Sequence, residues 1–361
     1  MNHIELFSGI GGFRQAMALI QQDHGVVFNC LGYSEIDEKA RNTYQTNYDT
    51  QGEMDMGDVV TFNKQHDDFY LNHQVDLLTG GFPCQSFSMM GKQLGFQDER
   101  GQMFFQIYHI LQIKHQQGQD IPFVLLENVK NILTHDHGRT YRIMKGLLEH
   151  LGYHVYADVF NASAFRQAQT RRRALIFATT QQLPENVNFT FDNVKRTFDE
   201  NYVDSWSIFN QMNVLNVLDT DVGEKYYLSE KIKPTILADG SGNYNAKSEI
   251  NLLIARPLTA TMTKMHRASQ DNYYSDGFLH ADDPTKYVQQ IFSKEELIHQ
   301  RIRKLTPEEA FNLQGFPKEF AIRARAFGVA NGSLYKQAGN AVSVNMIYAA
   351  LYYLFINQII R

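Results

Sequence analysis

Short apolar runs recur through the first 180 residues, each followed by a stretch of different periodicity, and few folds accommodate that alternation. The runs are HIELF (His3–Phe7), VVFNCLGYSE, VDLLTGG, FVLLENV (Phe123–Val129), YHVYADVFNA and RRALIFATT. Several are apolar at nearly every position, the mark of strands buried on both faces. Between them lie helical patterns. In RGQMFFQIYHILQIKH, Phe104, Ile107 and Leu111 share a face; in YRIMKGLLEHLGY, Met144, Leu148 and Leu151 do, with Gly152 as the expected C-cap. The alternation predicts an α/β domain whose mostly parallel sheet lies between helices. Ligands of such sheets sit beyond the carboxyl ends of the strands, so functional residues belong there.

After about Gln182 the pattern lapses into a polar, Asn-, Asp- and Tyr-rich stretch without sustained periodicity. It predicts a second, smaller and irregular unit, residues 183–334. Residues 1–182 form the main domain, completed by an apolar C-terminal helix within 335–361. No run of eighteen apolar residues occurs, so no membrane span is expected. The start, MNHIELFSGIGG, enters a strand without a basic leader, which points to the cytoplasm. A net charge of −5 does not advertise a nucleic-acid binder, although Arg256–Lys336 carries 12 Lys/Arg against 9 Asp/Glu.

Three constellations stand at expected strand ends. LFSGIGGF is a Gly-rich strand-to-helix turn, where backbone N–H groups approach a ligand closely. It lacks the third glycine of a dinucleotide fingerprint: that place is Arg14. Glu35, at the end of the second strand, is suited to accept both ribose hydroxyls, and Asp58 to take an adenine amino group. Together they fit an adenosine cofactor without a pyrophosphate. Only two cysteines occur, which excludes a disulfide framework or a zinc cluster, and no metal site is expected. Cys30 reads as a packing residue inside a strand. Cys84 follows Pro83 at a strand end and opens a loop of Gln, Ser, Met and Gly, a setting for a nucleophile. Glu127 ends the next strand in sequence, and Arg171 and Arg173 share one face of another. Each has a plainer alternative: a tight turn, a solvated acid, an ion-paired glutamate, a basic edge.

The segments LFSGIGGFR, SEIDEKA, GDV, GFPCQSFS, DERGQMFF, LLENVKNIL, QTRRRALIFA, RKLTPEEAFNLQGFP and QAGNAVSV, in this order, resemble the bacterial DNA cytosine-5 methyltransferases of restriction–modification systems. The likeness spans the chain except about 183–300. Ala168, Thr170, Arg172 and Ser343 stand where that family usually has Pro, Asn, Glu and Pro.

The resemblance implies a Rossmann-like, S-adenosylmethionine-dependent methyltransferase domain and a target-recognition domain with its hinge. Cys84 would attack cytosine C6. Glu127 would bind and protonate N3, Arg173 would hold the base or the Glu127 carboxylate, and Arg171 would support it. Phe7, Ser8, Gly9, Ile10, Gly11, Gly12, Glu35, Ile36, Asp58, Val59, Pro83, Met103 and Asn340 would hold S-adenosylmethionine. Double-stranded DNA would meet Gln85, Ser86, Ser88, Lys92 and Arg100 in the cysteine loop and Thr259, Thr261, Lys264 and Arg267 in the recognition unit. A monomer is expected, and a cognate restriction endonuclease would share the DNA site without binding the protein. An RNA cytosine methyltransferase is the nearest rival, but Phe82 stands where that class has a second proline. A decayed DNA-binding protein and an NAD(P)-dependent oxidoreductase are the others.

Overall fold

Seven strands make the central sheet of the computed structural model, which describes residues 1–83, 103–240 and 246–361. They are β1 (Asn2–Leu6), β2 (Asn29–Ser34), β3 (Met54–Asp55), β4 (Leu77–Gly81), β5 (Phe123–Val129), β6 (His154–Asn161) and β7 (Arg172–Thr179). Their order is β3-β2-β1-β4-β5-β7-β6. Pairs from β3 across to β5 are parallel, and β7 runs antiparallel between β5 and β6. The reason lies in the connections. A parallel crossover needs a dozen residues or more, usually a helix, whereas only residues 162–171 separate β6 from β7. The chain moves outward from β1 to β3 and then returns to β4 on the other side of β1. The crevice at the carboxyl ends of β1 and β4 is therefore the topological switch point.

Alternation along the buried strands builds two apolar layers. On β5, Phe123 and Leu125 face one core, while Val124 and Leu126 face the other. Helices Met103–Gln116 and Arg139–His150 cover the second face, through Phe104, Ile107, Leu111, Met144 and Leu148. Gly152, at φ 84°, follows the C-cap Leu151. Helices Gly12–His24 and Val344–Ile356 pack together on the first face. There His24 Nε2 lies 2.8 Å from the Tyr348 hydroxyl, which donates to Asp23. Asn331–Ile356 has the length and hydropathy of a membrane span, but it is spent inside the protein: 83% of its apolar window is buried.

The irregular unit holds a two-stranded antiparallel sheet, β8 (Tyr273–Ser275) and β9 (Ile302–Lys304). Leu228, Ile236, Leu237, Ala268, Tyr273 and Ile302 form a small core of its own. Its flanks instead join the main core, Phe198, Val214 and Val217 from one side and Leu305, Phe311 and Phe320 from the other.

Candidate active site

The Gly-rich turn takes its shape from four contacts with its surroundings. Phe7 adopts φ 55°, a left-handed backbone costly for an aromatic residue, and Gly9 (57°) and Gly11 (83°) continue the reversal. Ser8 N–H donates to Ser34 O at 2.8 Å, and Gly9 N–H donates to Glu35 Oε2 at 2.8 Å. The Tyr48 hydroxyl donates to Gly11 O, also at 2.8 Å. A Cβ on Gly11 would lie 2.4 Å from the Tyr48 ring, and one on Gly12 would lie 2.9 Å from Val342. At Gly9 a Cβ would meet nothing within 4 Å among the described residues, so this edge of the turn is open there. Ile10 is buried, and the buried Ser8 hydroxyl finds no hydrogen-bond partner among the described residues. Arg14 is turned away from the crevice. It stacks over Tyr44 and Tyr48 and pairs with Glu53 at 2.6 Å.

Glu35 follows β2 and is held by backbone donors, Gly9 N–H on one oxygen and Asp37 N–H (2.7 Å) on the other. Burial raises its pKa, and those two N–H groups work in the opposite direction. Each oxygen retains a lone pair. Ile36 beside it is 74% exposed, an apolar side chain left on the surface at the crevice. Asp58 N-caps the helix Val59–Asn63, accepting from Val60 N–H and the Thr61 hydroxyl. Its strand, β3, is only two residues long, and Val59 is buried.

β4 ends at Gly81, whose partner in register on β5 is Glu127. A Cβ on Gly81 would come 3.5 Å from Glu127 Oε2 and 3.3 Å from Val342, so this glycine lets both side chains close on the strand end. Asn128 Nδ2 donates to Phe82 O at 2.8 Å and ties the segment leading to Cys84 onto β5. Pro83 is exposed at the rim, and Met103 is half-buried at the start of its helix. Cys84, Gln85, Ser86, Ser88, Lys92 and Arg100 lie outside the described residues. The Arg173 Nε stands 3.0 Å from Glu127 Oε1. Burial raises the Glu127 pKa, while Arg173 and Arg171 pull it down. Cys30 is a poor candidate nucleophile, since burial drives its thiol pKa far up. Among the described residues no group of three His, Cys, Asp or Glu is placed to hold a metal ion.

Arg171 sits beside this pair but faces another way. Its buried guanidinium donates to Leu258 O (3.1 Å), Gly339 O (3.2 Å) and Ala341 O (2.8 Å). Thr259, Thr261 and Lys264 are exposed on the segment that begins at Leu258, and Arg267 is half-buried. Asn340 is exposed at the end of the helix Asn331–Asn340. It is Val342, two residues on, that packs between Gly12 and Gly81. Ser343, a departure from the expected proline, is buried and donates its hydroxyl to Gln167 Oε1. Tyr48, Asn128, Val342 and Gln167 thus shape the site without having been singled out by sequence. Asn128, adjacent to Glu127 in LLENV, and Val342, within QAGNAVSV, lay in segments that carried a signal.

A profile for the family described as C-5 cytosine-specific DNA methylase matches residues 1–355. Type II methyltransferase M.SsoII of Shigella sonnei is 34% identical over 358 residues, 96% of this chain and 78% of that protein. Type II methyltransferase M.NgoBI of Neisseria gonorrhoeae is 35% identical over 354 residues, 96% of this chain and 90% of its own length. The crystal structure of S. pombe Dnmt2 methyltransferase superimposes with a TM-score of 0.72 over 99% of both chains. At 19% identity that likeness speaks for the fold.

Proposed function

This chain belongs to the C-5 cytosine-specific DNA methylase family, a DNA cytosine-5 methyltransferase of restriction–modification type, and on that premise we propose that Cys84 and Glu127 methylate an extruded cytosine through a covalent adduct. One observation carries the reading. The Glu127 carboxylate is buried in register with Gly81, three residues before Cys84, with Arg173 against its far oxygen.

Carbon 5 of cytosine is a weak nucleophile. In the proposed course the Cys84 thiolate adds to C6 while Glu127 delivers its proton to N3, leaving an enamine whose C5 is electron-rich. Burial suits Glu127 to this duty, because a raised pKa increases the protonated share near neutral pH. Arg173 fixes the carboxylate's orientation and steadies the base. After methyl transfer the C5 proton leaves to a base, water being sufficient, the C6–S bond breaks with its electron pair returning to sulfur, and N3 gives its proton back to the Glu127 carboxylate. A base inside a duplex cannot reach this crevice, so it must be flipped out, at about a few kcal/mol.

The crevice fits S-adenosylmethionine. Glu35 keeps a free lone pair on each oxygen for ribose hydroxyls. Ile36 offers an exposed apolar surface to adenine, and Asp58 stands near for its amino group. Among the described residues, the open edge at Gly9 and the unpartnered Ser8 hydroxyl leave room and a polar contact. Phe7, Ile10, Gly11, Gly12, Val59, Pro83, Met103 and Asn340 complete the surround. When bound, the cofactor supplies an electrophilic methyl group on a sulfonium. DNA contacts fall to Gln85, Ser86, Ser88, Lys92 and Arg100 and to Thr259, Thr261, Lys264 and Arg267, whose residue types grip phosphates and read base edges. Residues 183–334 serve as the recognition unit of a monomeric, cytoplasmic enzyme that protects its DNA from a cognate endonuclease.

Bisulfite sequencing of DNA from cells expressing the protein identifies the target. A duplex carrying 5-fluorocytosine at that position then traps the adduct, because fluorine cannot leave C5 as a proton does. With S-adenosylmethionine present, a DNA–peptide adduct at Cys84 is expected. An adduct at another residue, or methylation of tRNA alone, overturns the proposal.

A further inference from the structure

The recognition segment is gripped by its backbone. Leu258 N–H donates to Gln169 Oε1 at 2.9 Å, and Leu258 C=O accepts from Arg171 Nη1 at 3.1 Å. Both polar groups of one residue are therefore taken by side chains that lead into β7. Gln169 is itself anchored, donating to Leu313 O at 3.0 Å. The Arg171 fork also takes Gly339 O and Ala341 O, which ties the C-terminal segment into the same junction. A planar guanidinium can serve three carbonyls from two chain segments; an ammonium cannot do so with the same geometry.

Gly339 supplies the independent observation. It lies in the helix Asn331–Asn340 with ordinary helical backbone, where alanine is favoured by about 1 kcal/mol. Conformation therefore does not call for glycine here, but contact does. A Cβ would fall 2.2 Å from Thr259 C and 2.3 Å from Thr259 O and Ala260 N. The peptide joining Thr259 to Ala260 rests directly on the Gly339 backbone, and the exposed Thr259 and Thr261 project from it. At the other end of the junction, Arg173, two residues from Arg171, meets Glu127.

We propose that Gln169, Arg171 and Gly339 clamp the Leu258–Ala260 backbone at a set distance from Glu127, so that target reading and base chemistry share one rigid junction. Arg171 is then a positioning residue, and its contribution is to specificity. The inference rests on the reading above that Thr259 and Thr261 face DNA. A methyl group at position 339 must push the clamped peptide by an ångström or more, and misplacement on that scale costs roughly 100-fold in rate.

The test compares kcat/KM on a duplex bearing the wild-type target with that on duplexes altered at one base pair beside the cytosine. In Gly339→Ala the cognate value should fall about 10- to 100-fold, with the altered duplexes losing much less, so that the ratio collapses. Arg171→Lys should collapse it in the same direction. A loss of folded enzyme scales every duplex equally and leaves the ratio intact, which separates positioning from damage. If Gly339→Ala does not fold, Arg171→Lys carries the comparison. Wild-type ratios in the folded variants would overturn the clamp while leaving the functional reading standing. Absence of methylation of any duplex by the wild type would overturn that reading, and the clamp with it.

Discussion

Removing Glu309 should cost the protein about 4 kcal/mol, and the reasoning behind the figure can be tested directly. Glu309 and Arg303 have no solvent exposure at all and meet in a two-point ion pair, at 2.8 and 2.9 Å. The same carboxylate accepts Thr306 N–H (2.7 Å) and Asp219 N–H (2.8 Å), and Arg303 also donates to Asp219 O (2.6 Å). The pair thus joins β9 and the helix Pro307–Leu313 to the chain at Asp219. Taking both charges out of water cancels most of their attraction, but truncating one leaves the other stranded at about 3–5 kcal/mol. Two backbone N–H groups also lose their acceptor, a cost of about 1 kcal/mol apiece that water entering the vacated space offsets, so the total stays near that of the stranded charge. Urea unfolding, followed by far-UV circular dichroism and by the single Trp206, which packs 4.6 Å from Tyr352 in the main core, should show Glu309→Ala destabilised by about 4 kcal/mol. The double variant Arg303→Met/Glu309→Leu should regain most of that, finishing within about 2 kcal/mol of wild type. A loss below about 1 kcal/mol for the single variant, or a double variant no better than the single, would refute the argument.

Glu127→Gln removes the proposed proton donor and should lower kcat by about 10²- to 10⁴-fold with S-adenosylmethionine affinity retained; single-turnover rates near wild type would exclude Glu127 from the chemistry. Glu5, fully buried on β1, is raised to about 8, chiefly by desolvation. Between its ordinary value and pH 8 the folded chain holds a proton that the unfolded chain has lost, so stability falls as pH rises, by about 1.4 kcal/mol per unit. Glu5→Gln should flatten that slope between pH 5.5 and 7.5, and parallel stability curves for the two proteins would contradict it. Tyr48→Phe deletes the hydroxyl on Gly11 O, which is worth about 1 kcal/mol. Calorimetry should show S-adenosylmethionine binding roughly fivefold weaker at unchanged saturated turnover; an unaltered Kd would mean that Tyr48 does not shape the turn.

The strands were legible because burial on both faces leaves a written trace: FVLLENV is apolar at successive positions, and Phe123/Leu125 and Val124/Leu126 do divide between two cores. The juxtaposition of Gly81 with Glu127 was legible only through topology, as neighbouring parallel strands place their carboxyl ends side by side. The antiparallel entry of β7 was not anticipated, although only residues 162–171 lie between β6 and β7, too few for a parallel crossover. Most of what escaped was of one kind. Arg171 and Arg173 were expected on one face and both lie near Glu127, yet Arg171 spends its donors on carbonyls 87, 168 and 170 residues away. Asn128 holds Phe82 O, Tyr48 holds Gly11 O, and Gln169 holds Leu313 O. A carbonyl has no letter, since every residue carries one, so no spacing or charge pattern can announce such a partner. Acidic and basic residues betray each other through complementary charge; an amide or guanidinium aimed at backbone betrays nothing. The same blindness hides Gly339, whose requirement comes from a peptide 80 positions earlier at Thr259. In this chain the polar motif residues therefore divide by partner. Arg173 meets the ionisable Glu127 at a strand end, while Arg171 meets backbone and ties segments distant in sequence together.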